Sequence, residues 1–176
     1  MNLISQNCLS GNIYKNYLKE PFGNPFIWTV IDFQSMLHLV QNWDNINFKN
    51  FELIKDDKWN FSILIDEKVK IQYVHYKFNP NCKTPILDNI GSIHYYKIWE
   101  YIIQKYKERL NRMLENKEEP IFCICNFNTI FPDAIYTKEQ LEILSKYKNV
   151  HILRGCEHKE PGESASLFYK QIIMFI

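Results

Sequence analysis

The chain has 176 residues, with 21 basic against 20 acidic, 46% hydrophobic and 23% charged. That length carries one well-buried core and is short for two ordinary domains, so a single domain over 1–176 is expected. A formal net charge of +1 gives no electrostatic case for a nucleic-acid or membrane partner, and no stretch approaches the ~18 uninterrupted apolar residues of a spanning helix.

Leu3 to Gln6 reads as a short central strand, followed by a helix from Leu9 in which Leu9, Ile13 and Tyr17 share an apolar face. Pro21, Gly23 and Pro25 make a loop, and Pro25-Phe26-Ile27-Trp28 is a cluster of large side chains that pins it to the core. Asp32 is placed to cap a second helix with Phe33, Met36, Leu37 and Val40 as its buried stripe. Phe51 to Ile54 forms a brief strand. A hairpin follows: Phe61, Ile63 and Ile65 alternate with Ser62 and Leu64, Asp66-Glu67-Lys68 turns, and Val69 to Tyr76 alternates again. Val69, Ile71, Tyr73 and His75 share a face, which points His75 inward.

Asn79 to Gly91 holds two prolines and little periodicity, and is expected to be a long loop. Ser92 can cap the longest helix, from Ile93 to about Glu115, with Tyr95, Ile98, Trp99, Ile102, Tyr106, Leu110 and Met113 buried. Its Lys105, Lys107, Arg109 and Arg112 read as a solvated basic face in preference to an anion site. Ile121 to Cys125 is an apolar strand covered on both faces. Thr137 and Gln140 have capping-box spacing and open a helix bearing Leu141, Leu144 and Tyr147, before a second buried strand, Val150 to Leu153. A final helix is expected from Ser164. The elements predict an α/β fold: a layered sheet, part parallel with an antiparallel hairpin, flanked by helices. Aromatic residues at 15% predict a ring-packed core.

The chemistry centres on Cys8. A thiol between a strand and a helix N-terminus meets unpaired N–H groups, which favour thiolate and can serve as oxyanion donors. His75 is the natural base, with Asn126, Asp88 or Asp133 to orient it and His94 in reserve. The competing reading makes Cys8 a small buried hydrophobe and His75 a core histidine. Cys123, Cys125, Cys156 and His158 could supply four soft metal ligands, but Cys-x-Cys is not the usual zinc spacing, and no metal is expected. No phosphate-cradling glycine loop or dinucleotide fingerprint is present, and no cofactor is expected. An odd count of five cysteines, with no basic segment leading an apolar one at the start, points to reduced thiols in a cytoplasm.

Asn7-Cys8 with Gly11 and Tyr14-Lys15, the Pro25-Phe26-Ile27-Trp28 cluster, and Val74-His75-Tyr76-Lys77 resemble a bacterial domain family of unknown function associated with exopolysaccharide or cell-surface glycan biosynthesis. They are similar also to a neighbouring bacterial family described as papain-like cysteine peptidases. The resemblance implies Cys8 as nucleophile and His75 as base. Tyr76 stands where an acidic residue is expected, and Ile27 where an Asp is expected. The implied function is a Cys-His hydrolase or acyl transferase of surface-glycan metabolism acting on a small molecule, glycan or peptide. The alternative is a sugar or nucleotide-sugar binding or transferase protein. There Asn7, Gly11, Trp28, Tyr76, Asn126 and Asn128 would contact the ligand, and Cys8 would only line the site. A non-catalytic interaction domain, in a homo- or hetero-oligomer, is the third reading.

Overall fold

The computed structural model describes residues 1–19, 22–55, 61–73, 76–79, 84–87, 91–92, 95–126, 132–155, 159 and 161–173. In chain order the elements are β1 (Asn2–Ser5), α1 (Leu9–Ile13), β2 (Val30–Ile31), α2 (Phe33–Asn42), β3 (Phe51–Lys55), β4 (Phe61–Ile65), β5 (Val69–Tyr73), β6 (Tyr76–Asn79), β7 (Thr84–Leu87), β8 (Gly91–Ser92), α3 (Tyr95–Asn116), β9 (Pro120–Cys125), α4 (Lys138–Leu144), β10 (Val150–Leu153) and α5 (Pro161–Ile173). The chain is an α/β protein.

Three hydrogen-bonded sheets result. The first is parallel throughout, in the order β1-β9-β10. The second is antiparallel, β2-β5-β4-β3. The third is a short antiparallel meander, β6-β7-β8. Local chemistry explains several boundaries. The Asp32 carboxylate accepts from the Ser35 N–H at 2.8 Å and starts α2. Thr137 and Gln140 close a complete capping box at α4. The hairpin turn between β4 and β5 places Asp66 and Glu67 at positive φ, 50° and 58°, a region that the short polar side chain of Asp66 enters more readily than a β-branched residue would.

Four expectations need correction. β1 lies at an edge of its sheet, and β9, apolar at every position, takes the middle. Residues 79–91 are not one long loop, because β7 pairs with β6 and β8 there. Strands this short carry too little alternation to be read. Pro85 is tolerated in the middle strand because β8 reaches only Ile86 and Leu87. Ser92 belongs to β8 and α3 begins at Tyr95. Finally, α5 starts at Pro161, since a proline in the first helical turn gives up an N–H that would have no partner anyway.

The parallel sheet has two faces with different partners. Ile4, Phe122, Ile124, Val150 and Ile152 pack with the antiparallel sheet, α2, α3 and the Leu141, Leu144 and Tyr147 side chains at α4. Leu3, Cys123, Cys125 and Leu153 pack instead with Leu9 and Ile13 of α1 and Ala165 and Phe168 of α5. Period-2 alternation along the strands therefore sorts the chain into two cores. It also means that the chain leaves β1 toward one face and leaves β9 toward the other.

Candidate functional site

In open parallel sheets, ligands bind outside the carboxyl ends of two neighbouring strands whose connections diverge to opposite faces. β1 and β9 form such a pair, with α1 and α4 on opposite sides. The residues at this point are Ser5-Gln6-Asn7-Cys8 after β1 and Cys125-Asn126 at the end of β9.

The β1 end is locked by hydrogen bonds. Ser5 Oγ donates to the Asn7 carbonyl at 2.6 Å and accepts from the Ser10 N–H at 2.9 Å. Gln6 Oε1 accepts from the Cys125 N–H at 3.1 Å, and its carbonyl accepts from the Ile31 N–H at 3.0 Å. Asn7 Nδ2 donates to the Cys125 carbonyl at 2.8 Å while Oδ1 accepts from the Leu9 N–H at 3.1 Å. Asn7 thus ties β1 to β9 and caps the first turn of α1. Both ends of its buried amide are engaged.

Asn126 behaves in the same way. Its Nδ2 donates to the Tyr136 carbonyl at 2.6 Å and its Oδ1 accepts from the Tyr136 N–H at 3.0 Å. Tyr136 in turn donates its hydroxyl to the Ile31 carbonyl. Burial, with the Asp32 charge adding to it, pushes that phenol well above its usual range. The amide proposed to orient an imidazole is therefore occupied in joining β9 to the turn before α4.

Cys8 sits at the N-cap of α1, partly buried against Val30 and Ala134. Its carbonyl accepts from the Asn12 N–H and from Asn12 Nδ2, both at 3.1 Å. Burial pushes its thiol up to about 12. This is the reverse of the expected shift. The α-helical stretch it caps is five residues long before it widens into a π turn over Tyr14–Leu18. So short a dipole is outweighed by the cost of desolvating a thiolate.

Gly11 and Trp28 meet directly. A Cβ on Gly11 would lie 2.5 Å from two ring carbons of Trp28, so the absence of a side chain there lets the indole rest on the helix backbone. Trp28 itself has φ 63°, an uncommon conformation for a bulky residue. Its ring is edge-on to Phe22 with centroids 6.5 Å apart. Asn24 supports this loop, donating from Nδ2 to the Leu3 carbonyl and accepting from the Phe26 N–H.

Tyr76 opens β6, paired with Leu87. His75, His94, Asp88, Asn128, Cys156 and His158 lie outside the described residues. Cys123 is buried and its thiol is pushed well above the ordinary range by burial. Cys125 is disulfide-bonded, whereas Cys8 and Cys123 are not. The expectation of wholly reduced thiols therefore fails at Cys125, and one thiolate is removed from the four-ligand metal set. Among the described residues no group of three or more His, Cys, Asp or Glu could hold a metal ion, and no helix is long and apolar enough to cross a membrane.

Two features escaped the sequence reading. Gln6 Nε2 and Ser10 Oγ are buried without a hydrogen-bond partner beside the β1 end. Strand-end polar residues carry no periodic signal, so nothing local marked them. Arg109 did have a signal. It is 6% exposed rather than solvated, because 102, 106, 109 and 113 recur at helical spacing and place it within the buried stripe of α3.

Fold and junction together define an α/β protein with a polar, hydrogen-bonded strand-end junction on a small parallel sheet. No family model matches the chain, and no curated protein matches its sequence.

Proposed function

We propose that this chain is a sugar or nucleotide-sugar binding or transferase protein of bacterial surface-glycan metabolism, with its ligand at the carboxyl ends of β1 and β9. The observation that carries the reading is the divergence of α1 and α4 to opposite faces from adjacent parallel strands, the arrangement that leaves a crevice at a sheet's carboxyl edge. The glycan assignment rests on the resemblance of Asn7-Cys8, Gly11, Pro25-Phe26-Ile27-Trp28 and Val74-His75-Tyr76-Lys77. Cys8 lines the crevice as an un-ionised thiol, and Trp28 offers an aromatic face to a sugar ring.

A Cys-His hydrolase or acyl transferase is the second reading, favoured by the position of Cys8 at a strand-to-helix turn. With its thiol held up near 12, Cys8 would need its proton removed by a base during attack, since almost no thiolate stands ready at neutral pH. One panel separates the two. Thermal unfolding is followed with a series of nucleotide-sugars and free glycans. The binding reading expects Tm to rise by several degrees with at least one of them. No rise with any sugar, together with burst acylation of Cys8 by an activated ester, would reject it in favour of the second.

A further inference from the structure

Arg109 is the one charged side chain among the buried polar residues described, at 6% exposed. The ion pairs among the described residues join the Met1 amino group to Glu118 and Lys105 to Glu108, so Arg109 belongs to neither. Its guanidinium makes one hydrogen bond, Nη1 to the Ile27 carbonyl at 2.9 Å, and lies 5.2 Å from the Phe22 ring centroid. Arg112, nearly one turn further along α3, donates from Nε to the Phe22 carbonyl at 2.9 Å. Two cations thus hold the two ends of the 22–28 segment through its carbonyls. No described carboxylate neutralises the inner one.

A buried charge is ordinarily paired, because desolvating it alone is costly. A guanidinium carries five N–H donors in a fixed plane, and its fork matches the geometry of a phosphoryl group. Phe22, Trp28 and Arg112 are only partly buried, so this edge opens to solvent. We propose that Arg109 and Arg112 form a phosphoryl-binding site at the Phe22–Trp28 rim. Arg109 supplies the fork and Arg112 the second cation. Trp28 rests on Gly11 of α1, three residues after Cys8, so the rim is continuous with the β1 end. Assigning the phosphoryl group to a sugar donor rests on the glycan reading; the anion site itself does not.

The test is therefore made with inorganic pyrophosphate, which carries no sugar. Calorimetric titration of the full chain at constant ionic strength is expected to give saturable, single-site binding. Arg109→Lys, which keeps the charge and loses the fork, should weaken it about tenfold or more. Arg112→Gln, at a half-buried position, should weaken it by a smaller factor and remains informative if the Arg109 variant folds poorly. Lys107→Gln, on the outer face of α3, should bind as the parent chain does. Absence of saturable binding overturns the site, as does equal weakening by Lys107→Gln, which would mark diffuse charge attraction. Glu20 precedes this segment. If Glu20→Gln lowers Tm as much as Arg109→Gln while the parent chain binds no pyrophosphate, the chain supplies its own counter-charge and the proposal fails. Binding of pyrophosphate without any nucleotide-sugar response would keep this site and reject the glycan reading.

Discussion

The antiparallel β2-β5-β4-β3 sheet and the parallel β1-β9-β10 sheet are built by different means. In β4 and β5, Phe61, Ile63, Ile65, Val69, Ile71 and Tyr73 are all buried to within 1% of fully enclosed, and their order along the strand is simple alternation. The parallel sheet buries Asn2, Ser5, Gln6 and Asn7 among its apolar residues. Asn7 and Gln6 are placed by hydrogen bonds that run between strands, to the carbonyl and the N–H of Cys125, and Ser5 by local bonds to the Asn7 carbonyl and from the Ser10 N–H. One sheet is held chiefly by the burial of alternating apolar side chains, with Tyr73 donating to the Pro25 carbonyl and the Lys70 N–H to Ser35 Oγ. The other has its strand ends held in a defined polar geometry and still leaves Gln6 Nε2 and Ser10 Oγ unpartnered. Such a cost has no stabilising purpose. The same cost is met at Asn2 Oδ1, at the other end of β1, and at Ser164 Oγ in α5.

The contrast can be broken most forcefully in the antiparallel sheet. Phe61→Ala, at a fully buried ring, should cost ~3–5 kcal/mol of global stability, read by urea unfolding. Loss confined to the parallel half, seen as local rather than global hydrogen exchange, would overturn the view of this sheet as the shared scaffold. Gly11→Ala comes next, at ~1–3 kcal/mol, because a methyl group cannot share space with the Trp28 ring. A blue or red shift in tryptophan emission should accompany it. Asn7→Ala should cost ~2 kcal/mol, since it removes the cap at Leu9 and the buried hydrogen bond to the Cys125 carbonyl. An Asn7→Ala variant as stable as the parent would mean that the junction is not held as described.

Which parts of this were readable in the chain follows from the same contrast. Period-2 and 3.6-residue patterns are local, so the β4–β5 hairpin, α2 with its Asp32 cap and the Thr137–Gln140 capping box were all legible. So was β9 as a strand covered on both faces with Cys123 and Cys125 on one of them, whereas β10, expected to be buried, lies at the sheet edge with His151 exposed. Position within a sheet is not local. Nothing near Leu3 says that β1 lies at an edge, or that its neighbour is a strand more than a hundred residues away. The same holds at the site. Cys8 could be placed at a strand-to-helix junction from sequence. Its thiol environment could not, because Val30 and Ala134 arrive from distant segments. Asn126 looked available for catalysis until Tyr136, ten residues on, was seen to take up its amide. Arg109 was a different kind of miss. Composition drew attention to a basic run, while the helical phase of that one residue pointed to the core.

The smallest effect on stability, and the sharpest on chemistry, concerns Cys8. Its folded thiol sits at about 12, against about 8.5 for a cysteine in an unfolded chain. The folded state therefore favours the protonated form. That preference contributes nothing to the pH dependence below the unfolded value, where both states hold the proton. As pH rises past it, the unfolded chain ionises first, and stability falls steadily toward the folded value. Cys8→Ala removes this group and should make the alkaline decline shallower, leaving the share from Cys123 and Tyr136, which burial raises in the same sense, while changing neutral-pH stability by less than ~1 kcal/mol because the site is partly exposed. Iodoacetamide supplies the kinetic counterpart. At neutral pH, Cys8 in the folded chain should react far more slowly than a model thiol, with the rate climbing on approach to pH 12. A thiol that instead reacts fully by pH 7 would place an activating base beside it in the working protein. The parallel sheet's polar end would then be a nucleophile site, and the second reading of function would replace the first.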